Sequence, residues 1–142
     1  MIGLLDQGVQ GNGGTNPFRG VRLPPCMKVP WWLPFGRVPE VRPADLVAEL
    51  AGRAGPVLLD VRTPGEFASG HITGAVNVPV TSLTGRLPSL GLLPGRPVVA
   101  ICLSAHRSPP AVRLLRRAGV DVRQLAGGMI AWRLAKLPVV RS

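Results

Sequence analysis

The stretch Val98–Ile101 reads V-V-A-I, an apolar run with no polar residue to alternate against. A strand with one wet face would alternate at every second residue. An unbroken run needs cover on both faces, which is the pattern of an interior strand in a parallel sheet. Parallel neighbours cannot be joined by hairpins, so helices must lie between the strands. The chain supplies both kinds of element in turn. Val38–Val41, Val57–Val61, Ala75–Val78, Pro97–Ile101 and Val122–Leu125 read as five short strands. Pro43 opens a helix over Ala44–Arg53, with Leu46, Val47 and Leu50 at helical spacing, and Gly55-Pro56 closes it. Thr63-Pro64-Gly65-Glu66 has the spacing of a capping box for a short helix over Pro64–Ser69. Val80–Leu90 reads as helix with breaks at Gly85 and Pro88. Pro109–Ala118 turns Val112, Leu114 and Leu115 inward and ends at Gly119, and Gly127-Gly128 precedes a last helix over Met129–Ala135. The expected fold class is α/β: a doubly wound, parallel five-stranded sheet with helices on both faces.

The regular pattern begins at residue 37, so 37–142 is expected to be one domain and 1–36 an N-terminal extension. Residues 1–26 are rich in Gly, Asn and Gln without periodicity, which predicts disorder. Met27-Lys28 followed by V-P-W-W-L-P-F-G reads as an ordinary protein start, with Met27 as an alternative native initiator. Trp31, Trp32 and Phe35 are split by prolines and are expected to pack on the domain edge. No window has the apolar length of a membrane span, and Met1–Gln10 lacks a basic leader, so a cytoplasmic protein is expected. The formal charge is +10, from 17 Lys+Arg against 7 Asp+Glu. This charge favours small anions, but the arginines are scattered without aromatic interleaving, which argues against specific nucleic-acid binding. Two cysteines, Cys26 and Cys102, with no CxxC and no Cys/His cluster, predict neither a metal nor a cofactor site.

Cys102 stands where the buried run ends and a polar loop begins, C-L-S-A-H-R-S. Open α/β sheets place their binding crevices at the carboxyl ends of strands. Only a thiolate attacks, and a tight loop followed by a helix N-terminus at Ser108 offers main-chain N–H groups that favour an anion. Arg107 adds a planar charged fork, and Ser104 and Ser108 add hydroxyls. The alternative for Cys102 is a small core hydrophobe, a common fate of free cysteine. Arg107 and the serines at these offsets favour a nucleophile.

Three segments together carry a resemblance. L-L-D-V-R-T-P-G-E-F-A-S-G-H-I-T-G-A-V-N-V-P, the C-L-S-A-H-R-S loop and the tail L-A-G-G-M-I-A-W resemble, in order over about residues 37–142, the rhodanese domain family of the single-domain type. The resemblance implies a rhodanese-like fold and a sulfurtransferase that moves sulfane sulfur from thiosulfate or a similar donor through a cysteine persulfide. Cys102 matches the sulfur-carrying nucleophile, and Leu103, Ser104, Ala105, His106 and Arg107 match the active-site loop. Asp60 and Arg62 match a supporting D-x-R pair. Glu66, His71 and Asn77 match positions that are chiefly structural. Gly127, Gly128 and Trp132 match the fold-closing tail. The loop departs from the family where Ala105 replaces a frequent Gly, a position at which a methyl group opposes positive φ. His106 is a bulky neighbour for Arg107.

The partners implied are a small anionic sulfur donor and a thiol or protein acceptor, of thioredoxin-like or sulfur-relay type. Two other readings compete. A cysteine phosphatase or arsenate reductase also pairs a thiolate loop with Arg, but the phosphatase loop has one residue more between Cys and Arg. A non-catalytic binding or regulatory module is the other, and such modules usually lack the cysteine. Cys26, flanked by Pro24-Pro25, reads as an incidental thiol rather than a resolving one.

Overall fold

The computed structural model describes residues 37–92 and 94–142. The expectations for the extension, for Met27, for Cys26 and for Trp31, Trp32 and Phe35 lie outside the described residues. The elements run β1 (Glu40–Val41), α1 (Pro43–Leu50), β2 (Val57–Asp60), α2 (Pro64–Ala68), β3 (Val76–Asn77), α3 (Leu83–Arg86), β4 (Val98–Ile101), α4 (Ser108–Arg117), β5 (Val122–Leu125) and α5 (Gly128–Leu134). All strand pairs in the sheet are parallel, in the order β1-β5-β4-β2-β3. The V-V-A-I run is central and buried throughout, as its composition requires.

Strand alternation sorts the core into two layers. Leu59, Val61, Val98, Ala100, Cys102 and Val122 face α4 and the α3 region, against Leu83, Ala111, Val112 and Leu115. Leu58, Val99, Ile101 and Leu125 face the other way, against Leu46 of α1 and Met129 and Trp132 of α5. Burial of each large apolar side chain contributes about 1.5–3 kcal/mol, so both faces are needed to fix the sheet. Cys102 therefore lies on the α4 side, while α5 approaches the same strand end from the opposite side.

Several elements differ from the local reading, each for a physical reason. Val38 packs against the core but β1 holds only Glu40 and Val41, because Pro39 has no N–H to give the ladder and only accepts from the Gln124 N–H. Val47 is exposed at 39%, whereas Leu46 is fully buried, so the buried stripe of α1 is narrower than its apolar content. Leu114 is half-buried rather than inward. The Val80–Leu90 segment is α-helical only over Leu83–Arg86, between 3₁₀ turns at Val80–Ser82 and Leu87–Ser89. Gly85 sits inside that helix, and Pro88 falls within the second 3₁₀ turn, where no helical N–H is needed.

The end of β2 is held by a buried ion pair. Asp60 and Arg62 are almost wholly enclosed, and Arg62 Nη2 meets Asp60 Oδ2 at 2.6 Å. A buried charge is tolerable only when its remaining donors are also used. Arg62 uses them on the Gly70 and Glu66 carbonyls at 2.9 and 3.1 Å. Asn77 ties β3 back by donating to the Asp60 and Arg62 carbonyls. Among the described residues, no helix is long and apolar enough to cross a membrane.

Candidate active site

The polar loop after β4 is fixed from below by α5. Met129 N–H donates to the Cys102 carbonyl at 2.8 Å, and Ile130 N–H donates to the Leu103 carbonyl at 3.0 Å. These are N–H groups of the first turn of α5, which have no partner inside their own helix. The approach depends on Gly128, whose φ is +59° and where an added Cβ would overlap the Cys102 and Leu103 carbonyl oxygens. The Gly-Gly pair of the tail is thus the seat of the thiol loop as well as the start of a helix.

In a trans peptide the C=O and the following N–H point in opposite directions. With the Cys102 and Leu103 carbonyls drawn toward α5, the N–H groups of Leu103 and Ser104 are aimed away from it, toward the side of the sheet that carries the Cys102 side chain. Further along, Ala105 has φ +61°, the left-handed conformation its methyl group disfavours. A reversal of this kind turns successive N–H groups of a tight loop to one side, the geometry of an anion nest.

The contribution expected from the helix N-terminus is smaller than the position of Ser108 suggests. Ser108 is the first residue of α4, and Pro109 and Pro110 follow it. Two of the N–H groups that a helix start would offer are therefore missing. The helix start therefore offers few donors, and the N–H groups free to meet an anion are those of the loop.

Arg107 is held by a partner. Its Nη1 and Nη2 donate to Glu66 Oε2 and Oε1 at 2.8 and 2.5 Å, a two-pronged pair. Glu66 also completes the predicted capping box, accepting from the Thr63 N–H and Oγ1 while its own N–H donates to Thr63 Oγ1. The Arg107 guanidinium, with the two Thr63 donors, pulls the Glu66 carboxyl down to about 2, against the opposing effect of burial. Glu66 in turn raises the Arg107 guanidinium. A residue matched as chiefly structural is thus the direct partner of the loop's cation.

Cys102 is only 1% exposed, and it is not surrounded by hydrocarbon alone, since its Sγ lies 3.3 Å from Ser108 Oγ. Ser104 Oγ and His106 Nδ1 pair at 2.9 Å on the exposed rim. Asp60 takes its hydrogen bonds from the Arg62 side chain and N–H, so the D-x-R pair supports the strand end without touching the sulfur. His71 stacks on Phe67 with centroids 3.7 Å apart, and its Nδ1 meets the Phe67 carbonyl at 2.8 Å. Trp132 is core, with Nε1 donating to the Pro138 carbonyl. The residues that sequence reasoning missed are Gln124 and Glu40, which stand behind Ser108. A polar residue in the buried strand V-R-Q-L was the available signal, because such a group needs a partner.

The rhodanese-like domain family matches residues 43–135. The chain belongs to the rhodanese-like domain family. An HTH-type transcriptional regulator, Rv0324, of Mycobacterium tuberculosis is 46% identical over 104 residues, covering 68% of this chain and 45% of that protein. A sulfurtransferase of Allochromatium vinosum is 36% identical over 104 residues, covering 72% of this chain and 95% of that protein. The crystal structure of a rhodanese-related protein from Thermoplasma volcanium superposes with TM-score 0.67 at 29% identity, over 73% of this chain and 99% of that one. The chain spans about half the length of the M. tuberculosis and Synechocystis relatives, at 45% and 48%. The rhodanese-like fold and the parallel five-stranded sheet expected from the sequence both hold.

Two outcomes follow for this rhodanese-like domain. Glycine carries no penalty at φ +61°, so Ala105→Gly is expected to raise stability by up to about 1 kcal/mol, read from a urea unfolding midpoint. Because the Glu66 carboxyl titrates lower folded than unfolded, its stabilisation is complete above its ordinary value of 4.5 and is lost as the pH falls toward about 2. Thermal midpoints should drop through that window, and Glu66→Gln should flatten the drop.

Proposed function

We propose that this domain is a sulfurtransferase that carries sulfane sulfur on Cys102, with thiosulfate or a similar small anion as donor. The observation that supports it most is the tie between α5 and the Cys102 and Leu103 carbonyls, which turns the Leu103 and Ser104 amides to the sulfur's side. Such donors favour a thiolate, a persulfide anion and the oxygens of an anionic donor alike.

The cycle is a double displacement. The Cys102 thiolate attacks the outer sulfur of thiosulfate, and the sulfur–sulfur bond breaks. Sulfite leaves with the electron pair, and Cys102 persulfide remains. A nucleophilic acceptor, such as cyanide in vitro or a thiol of a small molecule or protein, then takes the outer sulfur and returns the thiolate. His106 and Ser104, on the exposed rim, are placed to meet such an acceptor. Arg107 acts chiefly by neutralising Glu66 at the mouth of the loop, where an unpaired carboxylate would repel the donor.

The M. tuberculosis relative, an HTH-type transcriptional regulator, favours a second reading, in which a domain of this kind is a binding or regulatory module. Retention of both Cys102 and Arg107 favours chemistry in either setting.

On incubation with thiosulfate, intact mass is expected to rise by one sulfur atom, and Cys102→Ser should abolish the rise. Thiocyanate release in the presence of cyanide should fall about a hundredfold in Arg107→Ala. A mass gain that persists in Cys102→Ser would rule out this assignment. A stable persulfide that no small thiol discharges would favour the regulatory reading.

A further inference from the structure

Behind the sulfur lies a chain of hydrogen bonds that the transfer cycle does not use. Cys102 Sγ is 3.3 Å from Ser108 Oγ. Ser108 Oγ is 2.7 Å from Gln124 Oε1, and Gln124 Nε2 is 2.6 Å from Glu40 Oε1. The sheet register builds this line, since Glu40 and Gln124 are paired across β1 and β5, and Gln124 pairs with Ala100 of β4, two residues before Cys102. Ser108 and Gln124 are buried, at 0% and 4% exposure.

The direction of each bond is forced from the outer end. A carboxylate only accepts, so Glu40 requires the NH₂ of Gln124 to face it. The carbonyl oxygen of Gln124 must then face Ser108, and an amide oxygen only accepts as well. The single hydroxyl proton of Ser108 is thereby committed to Gln124, leaving a lone pair toward Cys102. That lone pair can accept from a thiol S–H but has nothing to give to a thiolate. A hydrogen bond to the neutral form disfavours the charged one.

We propose that Glu40 and Gln124 are positioning residues that orient Ser108 as an acceptor and so hold the resting Cys102 as a thiol. The relay opposes the loop amides, and the balance between the two sets the fraction of reactive sulfur. Ser108 can turn its proton to the sulfur only by breaking its bond to Gln124. This inference deepens the sulfurtransferase reading by naming what governs ionisation of the same sulfur, and it reverses the donor role that the position of Ser108 suggests. The charged groups around Cys102 are Arg107 of the loop, paired to Glu66 of α2, and Asp60 at the end of β2, paired to Arg62. His106 is exposed and paired to Ser104, and Arg123 of β5 is paired to Glu49 of α1. None of these pairs includes Ser108, Gln124 or Glu40.

The test is a pH titration of thiolate ultraviolet absorbance in the full chain, in a Cys26→Ser background. The chain contains no tyrosine, so tyrosinate does not contribute to the signal. Ser108→Ala should lower the midpoint by about half to one pH unit, the size of one net hydrogen bond. Glu40→Leu, at an exposed edge position, should lower it as well, because Gln124 is then able to turn over. Gln124→Met keeps the Glu40 charge but frees the Ser108 proton for the sulfur, and should lower the midpoint too. A midpoint that rises or stays in place in Ser108→Ala would make the hydroxyl a donor or a bystander and overturn the proposal. A shift in Glu40→Leu with none in Gln124→Met would assign the effect to the Glu40 charge alone and overturn it too. If Ser108→Ala does not fold, Glu40→Leu and Gln124→Met decide the matter. No sulfur donor is present in this titration, so its failure is distinct from a failure of transfer.

Discussion

Two hydrogen bonds, from the Met129 and Ile130 N–H groups to the Cys102 and Leu103 carbonyls, decide what the thiol loop can be. They join the last helix to the end of the central strand and set the direction of the peptide groups that follow the cysteine. Without them the loop would be a flexible connection, and its amides would have no fixed aim. They exist because Gly128 has no side chain to keep the backbones apart. The start of one helix thus fixes the backbone at a strand end more than 20 residues earlier in the sequence.

Around this tie the charges are arranged in pairs rather than as a bare positive funnel. Arg107 meets Glu66, and Arg62 meets Asp60, so two of the cations nearest the loop are already matched. For a chain of net charge +10 this is informative, because the selectivity of the site cannot come from net charge alone. On the proposed reading it comes from where neutral main-chain donors point. Glu66 links the two levels of organisation. The same carboxylate starts α2 and restrains Arg107, so the local capping signal and the site geometry are one feature.

Much of this was legible in the sequence. The V-V-A-I run could only be an interior strand, and the capping box at Thr63–Glu66 formed as its spacing required. The thiol at the strand end and the nearby cation were visible as residue types at fixed offsets, and the family resemblance marked Ala105 as a position where a methyl group opposes positive φ. What was not legible depends on contacts between distant segments. The strand order, with β1 reaching β5 at the edge, is not written in any local pattern. Nor is the pairing of Glu66 with Arg107, or the line from Ser108 through Gln124 to Glu40, since each needs the folded register to bring its members together. The prolines after Ser108 were visible, and their cost to the helix N-terminus becomes clear only when Ser108 is placed as the first helical residue. Local rules read the elements well, and tertiary register decides the wiring of the site.

The central claim is that the main-chain amides of Leu103 and Ser104 are the anion donors of this site. Backbone amide NMR of Cys102→Ser titrated with thiosulfate tests it most directly, because the variant has no thiol at position 102 to react. The claim predicts saturable shifts that are largest at Leu103 and Ser104 and are lost in Gly128→Ala. Shifts that leave those two amides unmoved while exposed arginines respond would contradict it.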